Sequence, residues 1–282
     1  MFTTILIQPL TNGLILFYKL LGNNLGLAII GFSLFLRFLL NPLTKPYMES
    51  MRKMKEFAPQ LEKLRRKHKD DKIKQAQAQS EFYKQKGINP GAGCLPYLLQ
   101  IVVLIAFFNV FTRTLTPDGN PVERFNALLY GPLKFQQNQA INTKFLYLDV
   151  TKPDKFNIPQ IPFPIPGPIL ILAALIQLLS SKIMAPVTQK QEKAAQKTPQ
   201  TADDMQVAMQ QSMIYTFPLF TIIIGMSFPS GLALYWLLFS VWQFLQQYNT
   251  YGLGGLKPWL ERLSLVKSDP RLRQNGKKKK RD

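Results

Sequence analysis

LGLAIIGFSLFLRFLLNPL, residues 25–43, is an almost unbroken apolar run with one permanent charge, Arg37, set inside it. A helix needs about 20 mostly apolar residues to cross ~30 Å of hydrocarbon, because lipid offers its backbone groups no other partners. Four more segments approach that length: residues 95–111, 169–184, 213–228 and 232–248. The last two are separated by Pro229-Ser230-Gly231, which leaves room only for a tight turn. The expected fold is therefore an all-α integral membrane protein with five transmembrane helices.

The formal net charge is +19 over 282 residues. A soluble nucleic-acid binder would spread such charge over a polar scaffold. Here the Lys and Arg residues flank apolar runs, where they set topology and meet anionic lipid. Residues 45–92 hold 13 of them, 182–212 hold 4 and 250–282 hold 10, against 7 on the opposite side. That bias places the N-terminus outside and the C-terminus in the cytoplasm. Cys94 is the single cysteine and His68 the single histidine, which excludes an intrachain disulfide and the usual zinc sites. There is no phosphate loop ending in Lys-Ser or Lys-Thr and no metal-ligand cluster. The chain reads as a non-enzyme without a cofactor. Carboxylates are missing from the spans too, which weakens an ion-coupled transporter.

The expected division is an outer-face interfacial helix at 1–24, spans at 25–44, 93–113 and 169–184, and a two-span hairpin at 213–249. Between them lie a cytoplasmic helical hairpin at 45–92, a Pro-rich outer loop at 114–168 and a cytoplasmic loop at 185–212. A basic tail follows at 250–282. The opening 22 residues carry Leu10, Leu14, Phe17, Leu20 and Leu21 at helical spacing, but Gln8, Pro9, Asn12 and Lys19 interrupt them, so the helix is expected to lie in the interface and to be retained. In the cytoplasmic hairpin, two polar helices are expected to part near Asp70-Asp71. Met48, Met51, Met54, Phe57, Leu61 and Leu64 form an apolar stripe on the first. It either packs against Ile73, Ala76 and Tyr83 of the second or receives apolar segments in transit, a task that suits soft, adaptable methionine. The run IPQIPFPIPGP, residues 158–168, is expected to be a stiff, irregular surface connector.

An Arg at the centre of a span costs ~2.5–3.5 kcal/mol on insertion scales. Arg37 either faces a polar cavity or snorkels along the ~10 Å to the boundary near Thr44. Gln100, Gln177, Ser180, Ser181, Ser240 and Gln243 also stand at membrane depth. They line one wet space with Arg37 or, taken singly, make helix-to-helix hydrogen bonds of ~0.6 kcal/mol. The span at 213–228 is ~24 Å of helix, which either thins the bilayer or begins earlier, near Met209.

Three stretches carry a resemblance: RFLLNPLTKPYMESMRKMKEFAPQLEKLRRKHKDD from Arg37, NPGAGCLPYLLQIVVLIAFFNVF from Asn89, and FPSGLALYWLLFSVWQFLQQ from Phe228. Together they resemble the YidC-type insertases, related to the Oxa and Albino proteins. The resemblance implies five helices around a hydrophilic groove that opens to cytoplasm and lipid and is closed outside. It implies a groove arginine at Arg37, with Gln100, Gln177, Ser181, Ser240 and Gln243 proposed as lining. It implies an insertase and chaperone that hydrolyses no nucleotide, with nascent membrane proteins and lipid as partners. The tail ending KKKKRD resembles extensions that bind ribosomal RNA through phosphate attraction; the Sec translocon is a further candidate partner. The chain is expected to depart from some Gram-negative members in lacking their large outer domain and long N-terminal span, and in its Pro-rich outer loop. Its rivals are a small-solute transporter or channel and a passive assembly scaffold.

Overall fold

The computed structural model describes residues 3–68, 71–89, 95–114, 120–137, 139–184 and 202–262. The loop at 185–201 and the basic tail beyond 262 lie outside the described residues.

A π-helical turn (Thr3–Ile7) leads into helix α1 (Gln8–Leu20). Helix α2 (Leu25–Lys67) follows, capped by the Asn24 side chain accepting from the Leu27 amide. It runs through what was expected to be a boundary: the first span and the first arm of the hairpin are one helix of 43 residues, ~65 Å long. Pro42, Pro46 and Pro59 lie inside it. Each removes one ladder bond, but the turns on either side are long enough to carry the helix past the break. The chain reverses where expected, and α3 (Lys72–Lys86) starts on an Asp71 cap and ends on Gly87 at a left-handed φ of 59°. Phe57 packs edge-on against Phe82, with Lys86 over the same ring, while Ile73 is exposed. The stripe thus meets Phe82 on the half-buried face of α3 that also carries Tyr83, whereas Ile73 and Ala76, expected as its partners, lie on the exposed face. Phe57, Leu61 and Leu64 are half-buried; the side chains of Met48, Met51 and Met54 lie outside the described residues.

Helices α4 (Leu95–Thr114), α6 (Pro168–Met184), α7 (Ala202–Gly225) and α8 (Ser230–Tyr251) complete the bundle. A short α9 (Lys257–Arg262) follows α8. Helix α8 is central, packing on α6, α2 and α4, while α6 also packs on α7. By length and composition, one described segment can cross a membrane, Leu25–Thr44; the apolar stretches Ile101–Thr114, Pro168–Ile183 and Ile214–Gly225 are shorter. The fourth helix begins at Ala202, ahead of either expected start, but its first half is polar and its apolar part, Ile214–Gly225, is short, as expected.

Residues 120–167 fold into a cap rather than a simple connector. It contains α5 (Pro121–Leu128) and two antiparallel hairpins, β1 (Lys144–Phe145) with β2 (Leu148–Asp149) and β3 (Lys155–Phe156) with β4 (Ile165–Pro166). Val122, Phe125, Phe135, Leu148 and Val150 are buried in the same core as α1, α2, α4 and α8. The Pro-rich run is mostly irregular and exposed, yet its Ile165 and Pro166 pair with Phe156 and Lys155.

The cap holds the N-termini of three helices. The Leu25 amide donates to the Asn142 carbonyl at 3.0 Å, and the Ser230 and Gly231 amides donate to the carbonyls of Lys152 and Val150 at 2.7 and 2.9 Å. At α6, the buried Asp154 carboxylate accepts from the Leu170 amide (3.0 Å) and the Tyr147 hydroxyl (3.0 Å), and that hydroxyl accepts from the Ile169 amide (2.9 Å). Such amides have no partners within their own helix, and a carboxylate there also meets the positive end of the dipole. Helices α2, α6 and α8 therefore all start at the cap end.

Helix α1 packs on α2 with Thr11 and Asn12 turned inward beside Leu14, Ile15 and Tyr18. Asn12 donates to the Leu128 carbonyl (2.9 Å) and accepts from the Tyr130 amide (2.7 Å), whereas Leu16 and Leu20 are exposed. Gly13 permits this packing, since a Cβ there would lie 2.4 Å from the Phe32 ring.

Candidate functional site

Arg37 lies about 18 Å along α2 from Leu25. Its side chain is half-buried, and its guanidinium carbon stands 3.8 Å from the ring centroid of the buried Phe239 on α8. A cation over an aromatic face is worth about 0.5–2 kcal/mol, more as water is excluded.

On the cap side of this pair the interior is aromatic and closed. Phe32 packs on Phe107 (6.1 Å), which stacks on Tyr235 (4.6 Å, 21°) and on Phe111 (6.3 Å). All four rings are buried, and Gly231 fits beneath Phe111, where a Cβ would come within 2.6 Å of the ring. The buried apolar core extends along α2 to Phe32, along α6 to Ala173 and along α8 to Leu237.

Beyond that level buried polar residues lie among the apolar ones. Gln177 of α6 donates to the Ser240 hydroxyl of α8 (3.3 Å) and accepts from the Thr221 hydroxyl of α7 (2.8 Å). Thr221 and Ser240 are also close to the carbonyls four residues before them, of Phe217 (3.1 Å) and Trp236 (2.8 Å). Ser180 and Gln247 are buried further along the same helices.

The structure therefore separates the residues proposed from sequence. Arg37 meets α8 at Phe239, and Gln243 stands one turn beyond Phe239 on the same face of α8. Gln177 and Ser240 are not lining: at 4% and 0% exposure they form a closed knot with Thr221 that ties three helices. The reason is angular, since neighbours Phe239 and Ser240 point to different sides of α8. Ser181 is half-buried at the end of α6, and the side chain of Gln100 lies outside the described residues. Sequence reading missed Phe239, one aromatic among many, and Thr221, which the i−4 carbonyl satisfies in any helix.

In the cap, burial pushes the Tyr147 hydroxyl up to about 12, against the opposing Ile169 amide. Asp149 is held below the usual carboxylate value. Burial acts in the opposite direction there, and hydrogen bonds from the Thr151 hydroxyl (2.7 Å) and amide (3.2 Å) outweigh it.

The 60Kd inner membrane protein family matches residues 16–253. The membrane protein insertase YidC of Caulobacter vibrioides is 34% identical over 241 residues, which cover 86% of this chain and 35% of the relative. That of Methylobacterium sp. is 31% identical, covering 89% of this chain and 35% of the relative. That of Fusobacterium nucleatum is 28% identical over 225 residues, covering 80% of this chain and 85% of the relative. The chain thus spans about a third of the length of the first two relatives and most of the third.

Proposed function

The chain belongs to the 60Kd inner membrane protein family, that of the YidC insertases, and from that premise we propose that it inserts other membrane proteins into the bilayer and assists their folding. In this reading α2, α4, α6, α7 and α8 all cross the membrane. The cap end faces outward, and the α2–α3 hairpin and basic tail lie in the cytoplasm. A supporting feature is the apolar surface that α2, α4, α6 and α7 turn outward, including Phe38, Ile105, Leu175 and Phe220. Contiguous apolar surface of this kind is stable only against lipid or partner protein.

The observation that carries the proposal is the position of Arg37, half-buried against the Phe239 ring just beyond the aromatic layer of Phe32, Phe107, Phe111 and Tyr235. On the cytoplasmic side of the aromatic seal, a hydrated groove along α2 and α8 would hold Arg37 and Gln243, with Ser181 and Gln100 as further lining. An incoming polar segment enters it, and an acidic one is drawn to the guanidinium because attraction strengthens as water is excluded. The client's apolar helix then passes into lipid, and its burial drives the step. The seal and the cap above it keep solutes out. The stripe Met48, Met51, Met54, Phe57, Leu61 and Leu64 would receive clients. The tail would meet ribosomal phosphate, and cooperation with the Sec translocon is a further proposal.

The test is reconstitution. Purified protein in nucleotide-free proteoliposomes should raise protease-protected insertion of a single-span client several-fold over empty vesicles. Solute or ion flux without any gain in insertion would replace this reading with a transporter or channel.

A further inference from the structure

The cap displays an apolar surface that the proposed groove does not use. Leu146, Tyr147, Phe156, Ile158 and Phe163 are exposed, Leu146 by 80% and Phe163 by 65%. The two hairpins adjoin, since Tyr147 stacks on Phe156 with centroids 6.2 Å apart. Leu146 occupies the β1–β2 turn at a φ of +52°, a left-handed conformation that disfavours side chains, yet the residue is a large hydrocarbon pointing outward.

We propose that these two hairpins form a lipid-docking surface, and that their five apolar side chains enter the headgroup–acyl boundary at the cap end. Three observations choose lipid as the occupant. First, the surface continues an apolar helix face: the Tyr147 hydroxyl bonds the first turn of α6, and Ile171, Leu172 and Leu175 are exposed just beyond it. Second, the charge suits anionic headgroups. Lys144, Lys152 and Lys155 are exposed around the patch, while the acids Asp149 and Asp154 are engaged in hydrogen bonds within the cap.

Third, the proline run acquires a physical reason. Non-helical backbone near hydrocarbon is penalised for each amide that finds no acceptor. Four of the nine residues from 158 to 166 are proline and have no amide hydrogen to satisfy. One of the remaining amides, that of Ile161, donates to the Ile158 carbonyl at 3.0 Å. A Pro-rich chain can thus lie along the boundary where an ordinary loop cannot.

The inference rests on the membrane reading above, and the test separates the two. Single cysteines replace Leu146, Phe163, Gln137 and Leu172 in a Cys94→Ser background, each carrying a nitroxide in phosphatidylethanolamine–phosphatidylglycerol vesicles. Relaxation by oxygen against an aqueous nickel chelate then reads depth. Labels at 146 and 163 are expected to show an oxygen-to-nickel ratio several-fold above that at exposed Gln137, approaching that at Leu172 on α6. If Leu172 reports lipid but 146 and 163 match Gln137, the docking surface is refuted and the bundle reading stands. Shielding of 146 and 163 from both reagents would instead show a protein occupant and also overturn it. A Leu172 label in water would sink the membrane reading itself.

Discussion

Replacing Asp154 probes how the cap is held to the helices. Its carboxylate is 2% exposed and receives two hydrogen bonds, from the Leu170 amide and the Tyr147 hydroxyl, at the N-terminus of α6. Asp154→Asn keeps the shape but turns an amide toward one of two donors, so one bond is lost and the other loses its charge. A hydrogen bond to a charged group is worth about 1.5–3 kcal/mol, and the helix dipole adds ~0.3–1. We expect Asp154→Asn to destabilise by about 2–3 kcal/mol and Asp154→Ala by about 3–4, the latter leaving both donors unpaired. Tyr147→Phe should cost about 1–2 kcal/mol, because the Ile169 amide loses its acceptor. The double variant should cost less than the sum, since the residues share a bond. Denaturant unfolding in mixed micelles, followed by tryptophan fluorescence, measures each. Asp154→Asn within 0.5 kcal/mol of the parent would refute the clamp.

Three further outcomes are expected. Gln177→Leu should cost only about 1 kcal/mol in the same unfolding assay, because Thr221 and Ser240 each retain an i−4 carbonyl; a loss above 3 would show the knot to be more than register. Gly231→Ala should destabilise by about 1–3 kcal/mol, since its Cβ would collide with Phe111 and approach Ile29; an unchanged midpoint would contradict the tight seal. For Asp149, whose folded pKa lies below the usual 3.8, the carboxylate's contribution is present above that value and lost as pH falls through the folded one. The protection of the Thr151 amide, taken relative to intrinsic exchange at each pH, should fall below about pH 4, and Asp149→Asn should remove that dependence.

Much of the helical frame was legible because hydrocarbon runs, Asp71 and Pro229 are local signals. The apolar residues of 95–111, 169–184 and 232–248 fall inside α4, α6 and α8. What stayed hidden depends on partners distant in sequence. The cap is held by Asn12, Asn24 and carbonyls that complete other helices' ends, so its proline-rich sequence reads locally as irregular. The unbroken course of α2 through three prolines runs against propensity. At the site, Arg37 declared itself by its cost, but composition alone could not say which side of α8 each polar residue faces. Gln177 and Ser240 turned inward to Thr221, and Phe239 went unnoticed.

The central claim is that a fixed positive charge beneath an aromatic seal draws acidic client segments into the bundle. Its most direct test compares Arg37→Ala and Arg37→Lys in proteoliposomes, with one single-span client carrying either an acidic or a neutral translocated tail. Ala is expected to lower acidic-tail insertion at least several-fold more than neutral-tail insertion, and Lys to restore most of the difference. Equal insertion of both tails by the Ala variant would contradict the claim.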